Sequence, residues 1–347
     1  MKTSQRIDWI DYAKAISIFC VILIHAHVPY PIRGLLRVYL IPLFFFLSGI
    51  FANSKQYSGF SEFIIHKAKH ILIPYLCFNV ITYLFWLLVS NRYGPDAGTF
   101  SDWWKPLLGI VLGESIYLTH YTPMWFLACL FSTEILYFLI FSYLKETHYW
   151  WLAFVGVFTL GGIIYYTLQF NLPWGIDIAF PMLIFYTMGA HVSKPIRSED
   201  YKILKIKYAP LILIGSACVI TLIYHLNPGE VKVFINEYGN YFLFYIGAFA
   251  GIIFMVMLTR IIEQYWGHIK WLSYIGRNTL IILCLHLVML TIIKGVTFFV
   301  FNLPLEIYES PIIITIVSAL DILFLIPIIT IINRYFPILI GKKLPYE

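Results

Sequence analysis

Long apolar runs, separated by short polar segments, recur along the whole chain. A membrane-spanning helix needs about 20 mostly apolar residues, because the hydrocarbon core of a bilayer is about 30 Å thick. Ten runs come close to this length, and each is predicted to be a transmembrane helix. The predicted spans are 13–30, 35–52, 71–90, 123–143, 150–168, 175–192, 208–225, 240–259, 275–296 and 311–333. The pattern therefore predicts an all-α, polytopic membrane protein.

Composition supports this class and indicates a single domain. The 347 residues are 60% hydrophobic and only 12% charged, with a mean hydropathy of +0.80. The longest polar segments, 53–70, 91–122 and 193–207, are too short for a separate globular domain. We therefore expect one transmembrane domain over residues 1–347, without an appended soluble domain. The stretch WWKPLLGIVLGESIY within 91–122 is predicted to be a re-entrant or interfacial helix.

The distribution of basic residues predicts the orientation. If the N-terminus is cytoplasmic, most of the 24 lysines and arginines fall in cytoplasmic segments, as the positive-inside rule requires. Both termini are then cytoplasmic, and a lipid bilayer is the expected environment. This arrangement explains most of the net charge of +6, so binding of nucleic acid is not expected.

Cysteine and histidine spacing gives no sign of a metal site. The five cysteines lie in apolar runs without a CxxC pattern, which is typical of reduced thiols that pack as small hydrophobic groups. The ten histidines form no HExxH motif and no ligand-like cluster. We therefore expect no metal and no tightly bound cofactor.

Two titratable residues of the first predicted span lie on one helix face. Lys14 and His25 are eleven residues apart, about 20° beyond three full helical turns and ~16 Å along the axis. Lys14 is then near the cytoplasmic end and His25 in the outer half of the membrane. Asp11, one turn before Lys14, could pair with it, whereas His27 points to a different face. The alternative is structural: a packing histidine and a snorkelling lysine.

Two further stretches favour ligand binding or close helix packing. Ser48-Gly49 is a small polar pair that lets a backbone or a ligand approach closely. Lys67, Lys69 and His70 stand at the cytoplasmic entrance of the third span, where basic side chains can hold phosphates or act as an ordinary topological flank.

Taken in order along the chain, these stretches resemble membrane acyltransferase family 3, whose bacterial members O-acylate surface glycans. The similarity runs from about residue 8 to residue 290. The residues that carry it are Asp11, Lys14 and His25; Phe45-Phe46-Leu47-Ser48-Gly49; Lys67 to Tyr75; Trp125-Phe126-Leu127; and Ile275-Gly276-Arg277-Asn278-Thr279-Leu280 with His286. One position departs from the family pattern, because His70 stands where members commonly carry arginine. Lys67 and Lys69 are expected to substitute for it.

The resemblance implies an integral protein of the bacterial cytoplasmic (inner) membrane. It also implies transfer of an acyl group, most often acetyl, from cytoplasmic acetyl-CoA or another acyl-CoA to a hydroxyl of a surface polysaccharide or its lipid-linked precursor. His25 would be the general base, helped by Lys14 and Asp11. Acyl-CoA would be held by Lys67, Lys69, His70 and Arg277. Contacts to the oxyanion or to the acceptor would come from Ser48, Trp125, Asn278 and His286. Direct transfer and an acyl-histidine intermediate both remain open at this point.

A different class of protein competes with this interpretation. Ten spans with intramembrane Glu134, Asp177 and Asp321 would also suit a transporter of a saccharide or lipid-linked saccharide, driven by protons. The sequence shows no inverted repeat and no matched pair of broken helices. An inactive relative that serves as a scaffold is a third interpretation.

Overall fold

A computed structural model describes residues 7–53, 56–93, 102–142, 144, 147–168, 171–197 and 208–342. Within these ranges the chain is helical and contains no β-strand. The first eight helices are α1 (Asp8–His25), α2 (Tyr30–Arg37), α3 (Leu40–Ile50), α4 (Phe60–Lys67), α5 (Ile73–Phe85), α6 (Asn91–Tyr93), α7 (Trp104–Leu112) and α8 (Trp125–Phe141). The remaining seven are α9 (Trp150–Thr167), α10 (Ile176–Arg197), α11 (Ala209–Leu226), α12 (Tyr241–Trp266), α13 (Lys270–Arg277), α14 (Thr279–Phe299) and α15 (Pro311–Tyr335).

The helices confirm a polytopic membrane protein. In the described ranges, nine continuous or kinked helical segments are long and apolar enough to cross a bilayer. Helix α1 is a tenth long helix, and it is less apolar because it carries Asp8, Asp11 and Lys14. It nevertheless packs inside the bundle against α3 and α12 to α15. Each of the ten predicted spans therefore overlaps a helix.

Helix α1 begins five residues earlier than predicted, because its first polar groups find partners. A ring nitrogen of His268 lies 2.9 Å from the Asp8 carboxylate, and the Trp9 backbone N–H donates to Glu263 at 3.2 Å. Because these polar groups have hydrogen-bond partners, the helix can extend into a segment that is less apolar than a membrane span.

The third predicted span is also longer than expected. Helices α4 and α5 form one helical segment from residue 60 to residue 90, joined by a π-helical turn at Ala68–Leu72. The basic residues predicted at its entrance therefore lie inside a helix. The stretch predicted as a re-entrant or interfacial helix contains the nine-residue helix α7. Residues 94–101 and 198–207 of the predicted loops lie outside the described ranges.

Helices α3 and α10 approach closely through glycines, as Ser48-Gly49 predicted. A Cβ atom at Gly49 would overlap the carbonyl oxygen of Tyr186, and one at Gly189 would overlap that of Phe46. Gly276 of α13 likewise has no room for a side chain against the backbone of Asp11. These contacts fix α3 and α13 beside the core helices that carry the candidate site.

The predicted cytoplasmic segments meet at one end of the bundle. Asp8 contacts His268, Lys14 lies over the ring of Phe51, and Gly341 packs on the backbone of Lys69. We call this the basic end, and the other is the opposite end. At this end α1 packs against α13, α14 and α15, which places the candidate residues of these helices side by side.

Candidate active site

His25 lies in the last turn of α1 and faces an internal cavity of about 250 Å³. Apolar side chains from several helices form most of its wall, among them Val21, Phe44, Phe126, Leu130 and Leu283. Its polar lining comes from a few side chains: Lys14, His25, Ser48, His70, Trp125 and Thr279. We call this space the inner cavity. Its composition suits a ligand that is apolar along most of its length and reactive at one end.

A second histidine stands beside His25. The His286 ring of α14 has its centroid 5.1 Å from that of His25, and the two planes are inclined by 54°. His286 is completely buried. The Tyr121 hydroxyl donates to the carbonyl of Leu283 at 2.9 Å and lies 3.2 Å from Nδ1 of His286. Tyr121 and α14 therefore hold His286 rigidly against the catalytic candidate.

Lys14 connects the inner cavity with a larger one. Its Nζ atom lies 4.6 Å from the centroid of the Phe51 ring. The side chain lines the inner cavity together with His25 and also lines a cavity of about 1270 Å³ at the basic end. Thr279 and Leu280 border both spaces as well. The two cavities thus adjoin at Lys14, three helical turns below His25.

The larger space, which we call the basic cavity, is strongly cationic. Four positively charged side chains and one carboxylate line it: Lys14, Arg277, Arg334, Lys342 and Asp11. Nζ of Lys342 also donates to the side-chain oxygen of Asn333 at 3.0 Å. Sequence reasoning identified Arg277 but treated Arg334 and Lys342 as topological flank. Only the fold, which brings the end of α15 next to α1, shows that they share a cavity.

Asp11 joins α1 to α13 in this cavity. Nε of Arg277 donates to the Asp11 carboxylate at 3.3 Å, and the side chain of Arg277 keeps 36% of its surface exposed. Arg277 can therefore hold Asp11 and still present N–H groups to a ligand, because guanidinium has five of them. Asp11 lies with Lys14 in the basic cavity and is not among the described residues that line the inner cavity.

The predicted basic segment of the third span divides into three different environments. Lys67 forms an ion pair with Glu134 at 2.9 Å, and the two side chains are only 17% and 7% exposed. The hydroxyl of Tyr186 also donates to Glu134, at 3.3 Å. Among the described residues, neither Lys67 nor Lys69 lines either cavity. His70 does line the inner cavity, and its Nδ1 bonds the carbonyl of His66 at 2.8 Å.

The other predicted contacts also separate. Ser48 and Trp125 line the inner cavity with His25. Asn278 lies in the basic cavity instead. Its amide is engaged there, since it donates to the carbonyl of Tyr274 and accepts from Asn333, both at 2.8 Å. The structure therefore brings Ser48, Trp125 and His286 near His25 and leaves Asn278 in the basic cavity.

Three other titratable residues, His27, Asp177 and Asp321, are not among the described residues that line either cavity. His27 is exposed with a positive φ of 70°, and it is not among the described residues that line the inner cavity. Asp177 accepts from the backbone of Leu172 at 3.1 Å. Asp321 is fully buried, without a hydrogen-bond partner in the described part of the chain.

The fold defines a polytopic membrane protein, and its two adjoining cavities lead from the basic end to His25, beside the completely buried His286. A family model described as "Acyltransferase domain" matches residues 7–332. The chain belongs to this acyltransferase family, as the motifs predicted, and membrane acyltransferase activity is supported in general terms. Comparison with curated proteins and with solved structures gives no significant match.

Proposed function

We propose that the protein transfers an acyl group, most often acetyl, from acyl-CoA at the basic end to a hydroxyl of a surface polysaccharide or its lipid-linked precursor. The observation that carries this proposal is the pair of adjoining cavities, which meet at Lys14 and lead to His25. A donor with a polyanionic head and a long, narrow, reactive arm matches this shape.

The basic cavity would hold the phosphate groups of CoA. Four cationic side chains and one carboxylate line it, so its charge is positive. Three of the cations are Arg277, Arg334 and Lys342. Guanidinium and ammonium groups bind phosphate through short, charge-assisted hydrogen bonds. The first turn of α14, which starts at Thr279, borders the same space and adds the partial positive charge of a helix N-terminus.

The inner cavity would hold the arm that carries the thioester. Lys14 and His25 are ~16 Å apart along α1, a distance the extended arm must cross to bring its carbonyl to the imidazole. The wall of this path is mostly apolar, so it would disfavour the entry of water. Exclusion of water favours transfer to an acceptor hydroxyl over hydrolysis of the thioester.

His25 would act as the general base. Its imidazole takes the proton of the acceptor hydroxyl while the hydroxyl oxygen attacks the thioester carbonyl carbon. The carbon–sulfur bond then breaks, and the proton goes to the departing CoA thiolate. General-base catalysis contributes about 10² to 10⁴ in rate. The same imidazole could instead accept the acyl group first and pass it on, which gives the same overall balance.

Ser48 and Trp125 are the candidate donors to the oxyanion, because both line the cavity that contains His25. Each would stabilise the charge that develops on the thioester oxygen.

The transporter alternative depended on three intramembrane carboxylates. Glu134 is held by Lys67, and Asp177 bonds a backbone N–H, so these two have structural partners.

Purified protein in nanodiscs, with acetyl-CoA labelled on the acetyl group, tests the proposal. Wild type should transfer label to a bacterial glycan extract and release free CoA. His25→Ala should bind CoA normally and lose turnover by about 10² or more. Lys14→Ala should weaken CoA binding, and His27→Ala should behave as wild type. Saccharide transport without consumption of any acyl-CoA would contradict the proposal.

A further inference from the structure

The protonation of the His286 ring can be assigned from its neighbours. Nδ1 lies 3.1 Å from the carbonyl oxygen of Ile282 and 3.0 Å from that of Leu283. The third neighbour, the Tyr121 oxygen, directs its own proton to the carbonyl of Leu283 at 2.9 Å. The backbone N–H of Leu287 donates to that same tyrosine oxygen at 3.2 Å. Three acceptors therefore surround Nδ1, so Nδ1 carries the proton.

This assignment leaves Nε2 of His286 as a lone-pair acceptor. In a neutral imidazole only one nitrogen bears hydrogen, and the hydrogen bond made by one nitrogen sets the state of the other. Nε2 is buried and has no hydrogen-bond partner among the described residues. Buried acceptors are normally satisfied, so an unpartnered one points to a group that approaches it in the working protein.

The His25 ring is the polar group positioned to do so. Its centroid is 5.1 Å from that of His286, close enough for a ring N–H to reach a facing ring nitrogen after a small rotation. His25 ends α1 and lines the inner cavity, whereas Tyr121 and two carbonyls restrain His286. Of the two rings, His286 is therefore the fixed partner and His25 the adjustable one.

We propose that His286 is a positioning residue: its Nε2 accepts a hydrogen bond from one ring N–H of His25 and thereby fixes the tautomer that presents an unprotonated nitrogen to the acceptor hydroxyl. This inference rests on the proposed role of His25 as a base. When His25 has taken the proton, the same lone pair stabilises the resulting imidazolium. Orienting partners of this kind set ring orientation and basicity at other histidine sites.

The assignment also revises the contact that the sequence suggested for His286. A neutral ring with its proton on Nδ1 has only a lone pair on Nε2, so it cannot donate to an oxyanion from that side. Stabilisation of the oxyanion is left to other donors, and His286 acts through His25.

Matched variants at position 286 separate this role from packing. The side-chain amide of His286→Gln reaches the position of Nε2 and retains an acceptor there, whereas that of His286→Asn ends near Nδ1. We expect His286→Asn and His286→Ala to lower kcat by on the order of 10²-fold. The KM for acyl-CoA should stay unchanged, and His286→Gln should recover much of the loss. Equal loss in all three variants, or none in any, would overturn the proposal.

Nitrogen NMR of protein labelled with ¹⁵N-histidine in nanodiscs gives a readout that does not need turnover. The His286 signals, assigned by their absence from His286→Gln, should show a protonated Nδ1 and an unprotonated Nε2. His25 should occupy one tautomer in wild type and a mixture in His286→Ala. A protonated Nε2 on His286, or an unchanged His25 in His286→Ala, would contradict the inference. If wild type fails to consume acyl-CoA, the proposed function fails, and these spectra still decide whether His286 fixes His25.

Discussion

Two basic regions lie at the same end of the bundle, and their cations are engaged differently. Arg277, Arg334 and Lys342 line an open cavity, and Arg277 keeps 36% of its side chain exposed beside Asp11. Lys67 is 17% exposed, and its ammonium group is paired with the buried Glu134. Motif position alone predicted that Lys67 would bind the donor. A basic side chain can bind a ligand only if the protein leaves some of its N–H groups accessible and without a partner.

The largest expected effect comes from breaking the Lys67–Glu134 pair. Lys67→Met removes the ammonium group and leaves a buried carboxylate, and loss of one member of such a pair costs about 3–5 kcal/mol of unfolding free energy. We expect a large drop in the thermal unfolding midpoint in detergent. The double variant Lys67→Met/Glu134→Gln should recover most of it. If Lys67→Met is stable but binds CoA weakly, Lys67 contacts the donor and is not a structural residue.

The next effect concerns the basic cavity. Arg334→Gln and Lys342→Gln each remove one cation, and a lost charge-assisted hydrogen bond should weaken CoA binding by on the order of tenfold. Titration of CoA into nanodisc-embedded protein measures this, and the loss should shrink at high salt. Lys69→Gln is the matched control in the other region and should bind normally. Weaker CoA binding in Lys69→Gln than in Arg334→Gln and Lys342→Gln would contradict the assignment of the donor to the basic cavity.

A smaller effect tests the contact that assembles the basic cavity. Gly276→Ala forces a methyl group against the backbone of Asp11, so α13 must move away from α1. Overpacking of this kind typically costs about 1–3 kcal/mol. Unfolding in a denaturing detergent should detect the loss, together with weaker CoA binding through displaced Arg277. Gly215→Ala on α11, where a Cβ meets nothing within 4 Å, should leave both unchanged.

The last prediction concerns pH and the opposite end of the bundle, where burial keeps a histidine neutral. Near neutral pH its effect on stability is the smallest of the four. Burial lowers the pKa of His120 from 6.5 to about 4. Because the folded value is the lower one, the unfolded chain binds a proton first as pH falls. Stability should therefore decline from about pH 6.5 toward pH 4. Thermal unfolding across this range should show a shallower slope in His120→Gln, and an identical slope would exclude His120 as the cause.

The sequence predicted those features that depend on local periodicity. Each predicted span overlaps a helix of the described residues, and nine of these helical segments are long and apolar enough to cross a membrane. Helical geometry placed Lys14 and His25 on one face, and both line one cavity. Features that depend on contacts between distant helices were not predictable. The pairing of Lys67 with Glu134 requires the packing of α4 on α8, and the approach of Lys342 requires Gly341 to pack on Lys69. The inferred protonation of His286 depends on the neighbours that the fold places around its Nδ1 atom.

In the proposed mechanism, the acyl end of the donor travels from the basic cavity past Lys14 to His25. Photocrosslinking with an acyl-CoA that carries a diazirine on its acyl group tests this route, with the labelled peptides mapped by mass spectrometry. Labels are expected on residues of the inner cavity, such as Phe126, Leu283 and His25, and excess unlabelled CoA should abolish them. Competable labels confined to residues around Lys67 and Lys69, with none in the inner cavity, would contradict it.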